Sequence, residues 1–172
     1  MPLDKLPDIL ASNLDVVFVG TAAGKRSAYE GHYYANPSNR FWRTAKEIGL
    51  LPRNFRPEED REAVNHGVGF TDLCKVRAGS DAEIGKKLYD RSRFEKAIRK
   101  FNPRIVAFTS KEAASVWLGL QTGKIEYGEQ ADSNDGFPPV FVLPSPSGQA
   151  SKYWDDKYWH DLAHWIKRKR RA

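Results

Sequence analysis

The sequence contains a single cysteine, Cys74, in 172 residues. An internal disulfide is therefore impossible, and so is a cysteine-based zinc or iron–sulfur site built within one chain. A lone thiol fits a reducing compartment. Long apolar runs are also missing, and no stretch reaches the length of a bilayer-spanning helix. Met1-Pro2-Leu3-Asp4-Lys5 has neither the basic start nor the apolar core of a secretory signal, so a cytoplasmic protein without membrane contact is expected. Excess charge is scarce outside one place. Lys167-Arg168-Lys169-Arg170-Arg171 supplies five of the formal +6, leaving +1 for the remainder of the chain. Such a tail is either a solvated helix end, favoured by the negative pole of the helix dipole, or a phosphate-attracting arm for nucleic acid.

What the chain does have is aromatic surface, with five Trp, seven Tyr and nine Phe. Core packing is the first reading for each of them. The length suits one domain with a real core, spanning 1–172. The organising stretch is Val16-Val17-Phe18-Val19, four β-formers ended by Gly20-Thr21-Ala22-Ala23-Gly24. This pattern reads as a strand buried on both faces that feeds a tight loop.

Further strands are expected at 67–73, 104–109 and 139–143, with a short edge strand at 125–127. Residues 1–13 read as a lead-in helix or loop with Leu3, Leu6, Ile9 and Leu10 on one side. Helices are expected from Pro37 or Ser38 to Ile48, from Arg56 to about Asn65, from Ser92 to Phe101, from Ser110 to near Gly119, and from Asp155 onward. The last would bury Tyr158 or Trp159 with Leu162, Ala163 and Ile166. Strands alternating with helices imply a three-layer α/β/α domain around a mostly parallel sheet of four to five strands.

Several motifs fail their chemistry. Gly20-Thr21-Ala22-Ala23-Gly24-Lys25-Arg26 lacks the four-residue spacing and the hydroxyl residue after lysine that a nucleotide-binding P-loop needs. His160-Asp161-Leu162-Ala163-His164 places two imidazoles one helical turn apart, but Asp replaces the glutamate of a zinc-protease helix and no third ligand is evident. More content lies in Pro144-Ser145-Pro146-Ser147-Gly148-Gln149-Ala150. Prolines stiffen this loop, and it leaves a strand at the same sheet edge as the Gly20 loop, which makes a two-sided cleft.

Together, Gly20 to Gly24, Ser27 to Tyr34, Asn36-Pro37-Ser38-Asn39-Arg40-Phe41-Trp42, Gly67 to Leu73 and Leu143 to Gly148 resemble the mismatch-specific uracil-DNA and thymine-DNA glycosylases of the uracil-DNA glycosylase superfamily. The likeness runs in order over roughly residues 15–165. It implies an enzyme that flips a deaminated or mismatched base out of DNA and hydrolyses its N-glycosidic bond without metal or cofactor. By matching position, Tyr34 would stack on the flipped base, and the backbone of Thr21, Ala22 and Ala23 would read its edge. Ser145 would also line the base pocket. Ser147, Gly148 and Ala150, with Lys25 on the opposite loop, would meet the DNA, and Gln149 would enter the vacated stack. A monomer satisfies the sequence.

Two departures from the family pattern matter. Where the first motif usually carries the water-orienting Asn, this chain has Ala22, and a methyl group cannot bind water. Asp72 is the favoured replacement, because a carboxylate serves both as general base and as stabiliser of a developing cation. Asn39 is the second candidate, although its amide could simply tie loop to helix. The other departure is Ser145, where bacterial relatives often have Asn; the smaller side chain suggests tolerance of xanthine or hypoxanthine. The competing reading of Ala22 is a non-catalytic lesion or abasic-site binder on the same scaffold.

Overall fold

In the computed structural model, which describes residues 4–171, Val16–Ala22 forms an inner strand, β1, of a five-stranded sheet. Helices α1 (Lys25–Glu30) and α2 (Phe41–Glu47) follow, then a 3-10 segment at Pro57–His66 and strand β2 (Val68–Cys74). Next come α3 (Asp81–Ile84), α4 (Arg91–Phe101), β3 (Ile105–Phe108) and α5 (Lys111–Leu118). Strands β4 (Gly128–Glu129) and β5 (Val140–Val142) precede the final helix, α6 (Lys157–Arg171). The sheet order is β2-β1-β3-β5-β4, parallel throughout except for β4 against β5. It is a mostly parallel α/β sheet with helices on both faces.

The period of two along β1 divides the core. Val16 and Phe18 enter one layer with Phe41, Trp42, Phe70 and Trp159, while Val17 and Val19 enter the other with Phe94, Ile98 and Phe108. All four β1 valine and phenylalanine side chains are fully buried, as a strand covered on both faces requires. The first layer is where the aromatic surplus goes. Phe18 meets Phe41 edge-on at 4.9 Å and stacks with Trp159 at 5.8 Å, and Phe41 meets Phe70 edge-on at 5.4 Å. Each such ring stabilises the fold by about 1.5–3 kcal/mol through removal from water.

Several expectations need correction. Lys25–Glu30 is a further helix absent from the expected set; it buries only Ser27, so no apolar stripe announces it. Helix α2 starts at Phe41, because Pro37 and Ser38 are held in turns by the Asn36 side chain, whose Oδ1 accepts from Ser38 N at 3.0 Å. The helix expected from Arg56 to about Asn65 is present as Pro57–His66, in 3-10 form. The edge strand is Gly128–Glu129, not 125–127, since Ile125 turns inward to the core instead of pairing. Asp155 precedes the last helix and accepts from Lys157 N at 3.0 Å, and Trp165 rather than Ala163 completes the buried face. Of the two readings open for the lead-in, its described residues 4–13 follow the loop, and Ile9 makes an isolated antiparallel bridge to Phe70. Leu3 lies outside the described residues.

Helix α6 runs the height of the sheet. At its start Trp159 Nε1 donates to Pro144 O at 3.1 Å, just beyond the carboxyl end of β5. Near its end Arg170 pairs with Asp15, the residue before β1, and Arg104 donates to Lys169 O at 3.0 Å. Fifteen residues at about 1.5 Å each span about 22 Å, so the basic cluster sits at the edge opposite the strands' carboxyl ends.

Candidate active site

The strand order reverses direction at β1, and in such sheets ligands bind outside the carboxyl ends of the strands at that point. Gly20 on β1 pairs in register with Asp72 on β2. A Cβ placed on Gly20 would lie 2.6 Å from Asp72 Oδ1, so only glycine lets the carboxylate lie across the β1 backbone. The hydroxyl of Thr109, at the end of β3, lies 3.8 Å from the same point and donates to Val19 O at 3.2 Å. Three neighbouring strands thus deliver Asp72, Gly20 and Thr109 to one spot.

Asp72 is 4 % exposed. Burial pushes its carboxyl up to about 6, against the pull of the Lys75 and Arg93 charges and with a further push from Asp8. A carboxyl in this state is ionised at neutral pH yet a far better proton acceptor than one in water. Facing it is Tyr34, whose φ of +52° is unusual for a bulky residue and costs on the order of 1–3 kcal/mol. Its ring stacks on Phe41 at 4.3 Å, and its hydroxyl is buried with no hydrogen-bond partner among the described residues. Burial and the Asp72 charge push the phenol up.

Behind Asp72 lies a charged cluster, buried at Lys75 and partly exposed at Asp8 and Arg93, that the sequence did not announce. Asp8, from the lead-in, pairs with Lys75 Nζ at 3.0 Å and Arg93 Nη1 at 2.7 Å, and accepts from the Thr71 hydroxyl at 2.6 Å. Lys75 also donates to Tyr33 OH at 3.1 Å, and Arg93 donates to the Asp72 carbonyl at 2.6 Å. These partners stand 63 to 85 residues from Asp8, beyond the reach of local pattern. One signal was readable: a fully buried strand, Val68–Cys74, that carries Asp72 and is followed directly by Lys75 demands charged partners.

The second wall is the 144–150 loop, locked to the 36–40 turn. Arg40 N donates to Pro146 O at 2.8 Å, and Arg40 Nη2 donates to the Ser151 hydroxyl at 3.1 Å. That hydroxyl in turn donates to Gly148 O at 2.7 Å, and the Arg40 guanidinium lies 5.3 Å over Trp154. Gly148 packs so closely on Ser38 that any side chain there would collide with it.

The uracil DNA glycosylase superfamily profile matches residues 7–166. The chain belongs to this superfamily. It is 32% identical over 184 aligned residues to a G/U mismatch-specific uracil DNA glycosylase of Schizosaccharomyces pombe, covering 98% of this chain. It spans only 55% of that protein's length. A solution NMR structure from Methanosarcina acetivorans, provisionally assigned there as a uracil DNA glycosylase, superposes with a TM-score of 0.64 at 22% identity. That alignment covers 94% of this chain and 96% of the other, and it shows the fold alone.

Within this superfamily member, the remaining candidates divide by what already holds them. Asn39 Oδ1 accepts from Phe41 N at 2.8 Å, so its amide oxygen caps α2. Thr21 donates its hydroxyl to Asp81 at 2.6 Å, and the Ala23 carbonyl accepts from Gly79 N at 2.9 Å. Ala22 is half-buried on the strand end. Lys25 pairs with Glu83 at 2.8 Å on the exposed rim. Ser145 accepts from Ser147 N, and Ser147 from Gln149 N, at 3.2 and 3.3 Å, while Ala150 N donates to Ser147 O at 3.0 Å. Gln149 is exposed. His160 and His164 are exposed on α6, and among the described residues no group of three or more His, Cys, Asp or Glu is placed to hold a metal.

Proposed function

We propose that this chain is a monofunctional DNA glycosylase that flips uracil, and other deaminated bases, out of the duplex and hydrolyses the N-glycosidic bond. The observation that carries the reading is Asp72: a nearly buried carboxylate, poised near neutrality, across Gly20 at the carboxyl edge of the sheet in a chain of the uracil DNA glycosylase superfamily. A base inside the stack is unreachable, so extrusion into this edge comes first. As the C1′–N bond breaks, the sugar gains positive charge and the base leaves with the bonding pair. Asp72 faces that cation and takes one proton from the attacking water, whose oxygen bonds to C1′. The departing base is met by the loop backbone at Thr21–Ala23 and stacks near Tyr34. Ser147, Gly148 and Ala150, stiffened by the Arg40 contacts, grip the flanking phosphates, with Gln149 exposed where a wedge would enter the stack. Lys25 and Ser145 flank the opening.

Among the described residues the one lysine in this cluster is Lys75, which is held by Asp8 and Tyr33, so an abasic site without strand cleavage is the expected product. Labelled duplexes carrying uracil opposite guanine or adenine, xanthine or hypoxanthine, and a uracil single strand, test the reading. The expected result is base release with alkali-dependent nicking. Nicking without alkali contradicts the monofunctional reading, and release confined to uracil removes the role given to Ser145. Ala22, with its methyl at the usual water position, favours the alternative of a non-catalytic lesion binder, which tight binding without release would establish.

A further inference from the structure

We propose that the Asp8–Lys75–Arg93 cluster, built around the buried Lys75, is the device that sets the charge of Asp72, with Lys75 and Asp8 as positioning residues of opposite sign. The proposal rests on the reading of Asp72 as the catalytic carboxylate. The cluster brings the lead-in, the end of β2 and helix α4 together directly behind that residue. Lys75 follows Asp72 by three residues and its side chain is 3% exposed, so its charge acts through protein rather than water. Nothing in the mechanism uses it. Its ammonium is fixed by Asp8 at 3.0 Å and by Tyr33 OH, which itself donates to Pro7 O at 3.1 Å. Arg93 is bound to the opposite oxygen of Asp8 and to the Asp72 carbonyl, and it donates to the Thr71 hydroxyl at 3.2 Å.

A buried lysine and a partly exposed arginine with a single carboxylate between them carry a net positive charge. That excess is directed at Asp72, the next acidic group. The other groups near Asp72 are the Tyr33 and Tyr34 phenols and the Thr109 hydroxyl, neutral wherever a carboxyl titrates. The balance of Asp72 is thus left to the cluster: Lys75 and Arg93 favour its ionised form, and Asp8 and burial oppose it. This explains why an otherwise costly set of charges occupies the space under an active-site residue. A buried ion pair gives little stability compared with apolar packing, but it fixes a neighbour's charge effectively.

The test titrates the Asp72 carboxyl by carbon-13 NMR in the DNA-free full chain, wild type and single variants. Lys75→Met keeps side-chain length and deletes the positive charge, so the midpoint should rise by about one pH unit. Asp8→Asn deletes the opposing charge, so the midpoint should fall by a similar amount. Arg93→Gln, at a more exposed position, should raise it and serves if the Lys75 variant does not fold. Midpoints that stay put, or that move in the same direction for Lys75→Met and Asp8→Asn, overturn the proposal. The acid limb of the rate of base release should track the same midpoints. If the NMR midpoints move as stated while that limb stays fixed, the cluster sets the charge of Asp72, but Asp72 is not the catalytic carboxylate.

Discussion

Burying Asp72 costs stability. Its carboxyl rises from an ordinary value of about 4 to about 6 on folding, so the folded state binds the proton more tightly. The stability contributed at this residue is therefore fully present below about pH 4 and is lost as pH rises through about 6, where the buried group must ionise. Two pH units correspond to about 3 kcal/mol. Asp72→Asn, which stays neutral, should stabilise the protein at pH 7 by up to that amount, and the gain should vanish at pH 4. Denaturant midpoints at the two pH values check this; an equal loss at both would show that the carboxylate is structural. The residue itself stood out in the sequence, as the acid closing a strand beside the Gly20 loop. Its surroundings did not. Asp8 and Arg93 reach it through contacts that no periodicity encodes, and the positive φ of Tyr34 follows from Phe41 stacking and tertiary enclosure rather than from tyrosine's own preference.

At the scale of elements, the two loops behave as one wall because Arg40 ties them. Its backbone, its guanidinium and Trp154 hold the 144–151 loop against the 36–40 turn. Arg40→Ala should leave Asp72 chemistry intact but loosen the phosphate grip. KM should rise by on the order of tenfold, the equivalent of one or two lost hydrogen bonds, with kcat changed much less. Steady-state kinetics decide this, and a matched fall in kcat would place Arg40 in the transition state instead. Strands β1 and β5 were legible because their apolar runs are continuous and end at Gly20 and Pro144. Short helices were not. Lys25–Glu30 carries no apolar stripe, and Gly128–Glu129 pairs through backbone alone, so neither left a side-chain pattern. The 36–40 turn was read one helical turn too early because Pro37 is as good a helix start as a turn residue.

For the whole molecule, polarity along the sheet separates two charge systems. The strands' carboxyl ends carry the candidate site, while Lys167 to Arg171 lie at the other edge, about 22 Å away along α6, with Arg170 and Arg104 both drawn to Asp15. The tail is thus a helix end docked on the fold, and the sequence could show its charge but not its place. Removing residues 167–171 should leave the salt dependence of binding to a uracil-containing duplex unchanged. It should also cost no more than about 1 kcal/mol of stability from the exposed ion pair. A flattened salt slope would bring the tail to the bound DNA and contradict this placement.

The central claim is that the water-activating group has moved from the first loop, where Ala22 stands, to Asp72. Single-turnover release of uracil from a G·U duplex at pH 7 tests it directly, with wild type, Asp72→Asn and Asn39→Ala side by side. The account expects robust release by wild type, a loss on the order of 100- to 10,000-fold for Asp72→Asn, and only a modest loss for Asn39→Ala, whose amide caps α2. Full activity in Asp72→Asn with loss confined to Asn39→Ala would contradict it and assign the water to Asn39.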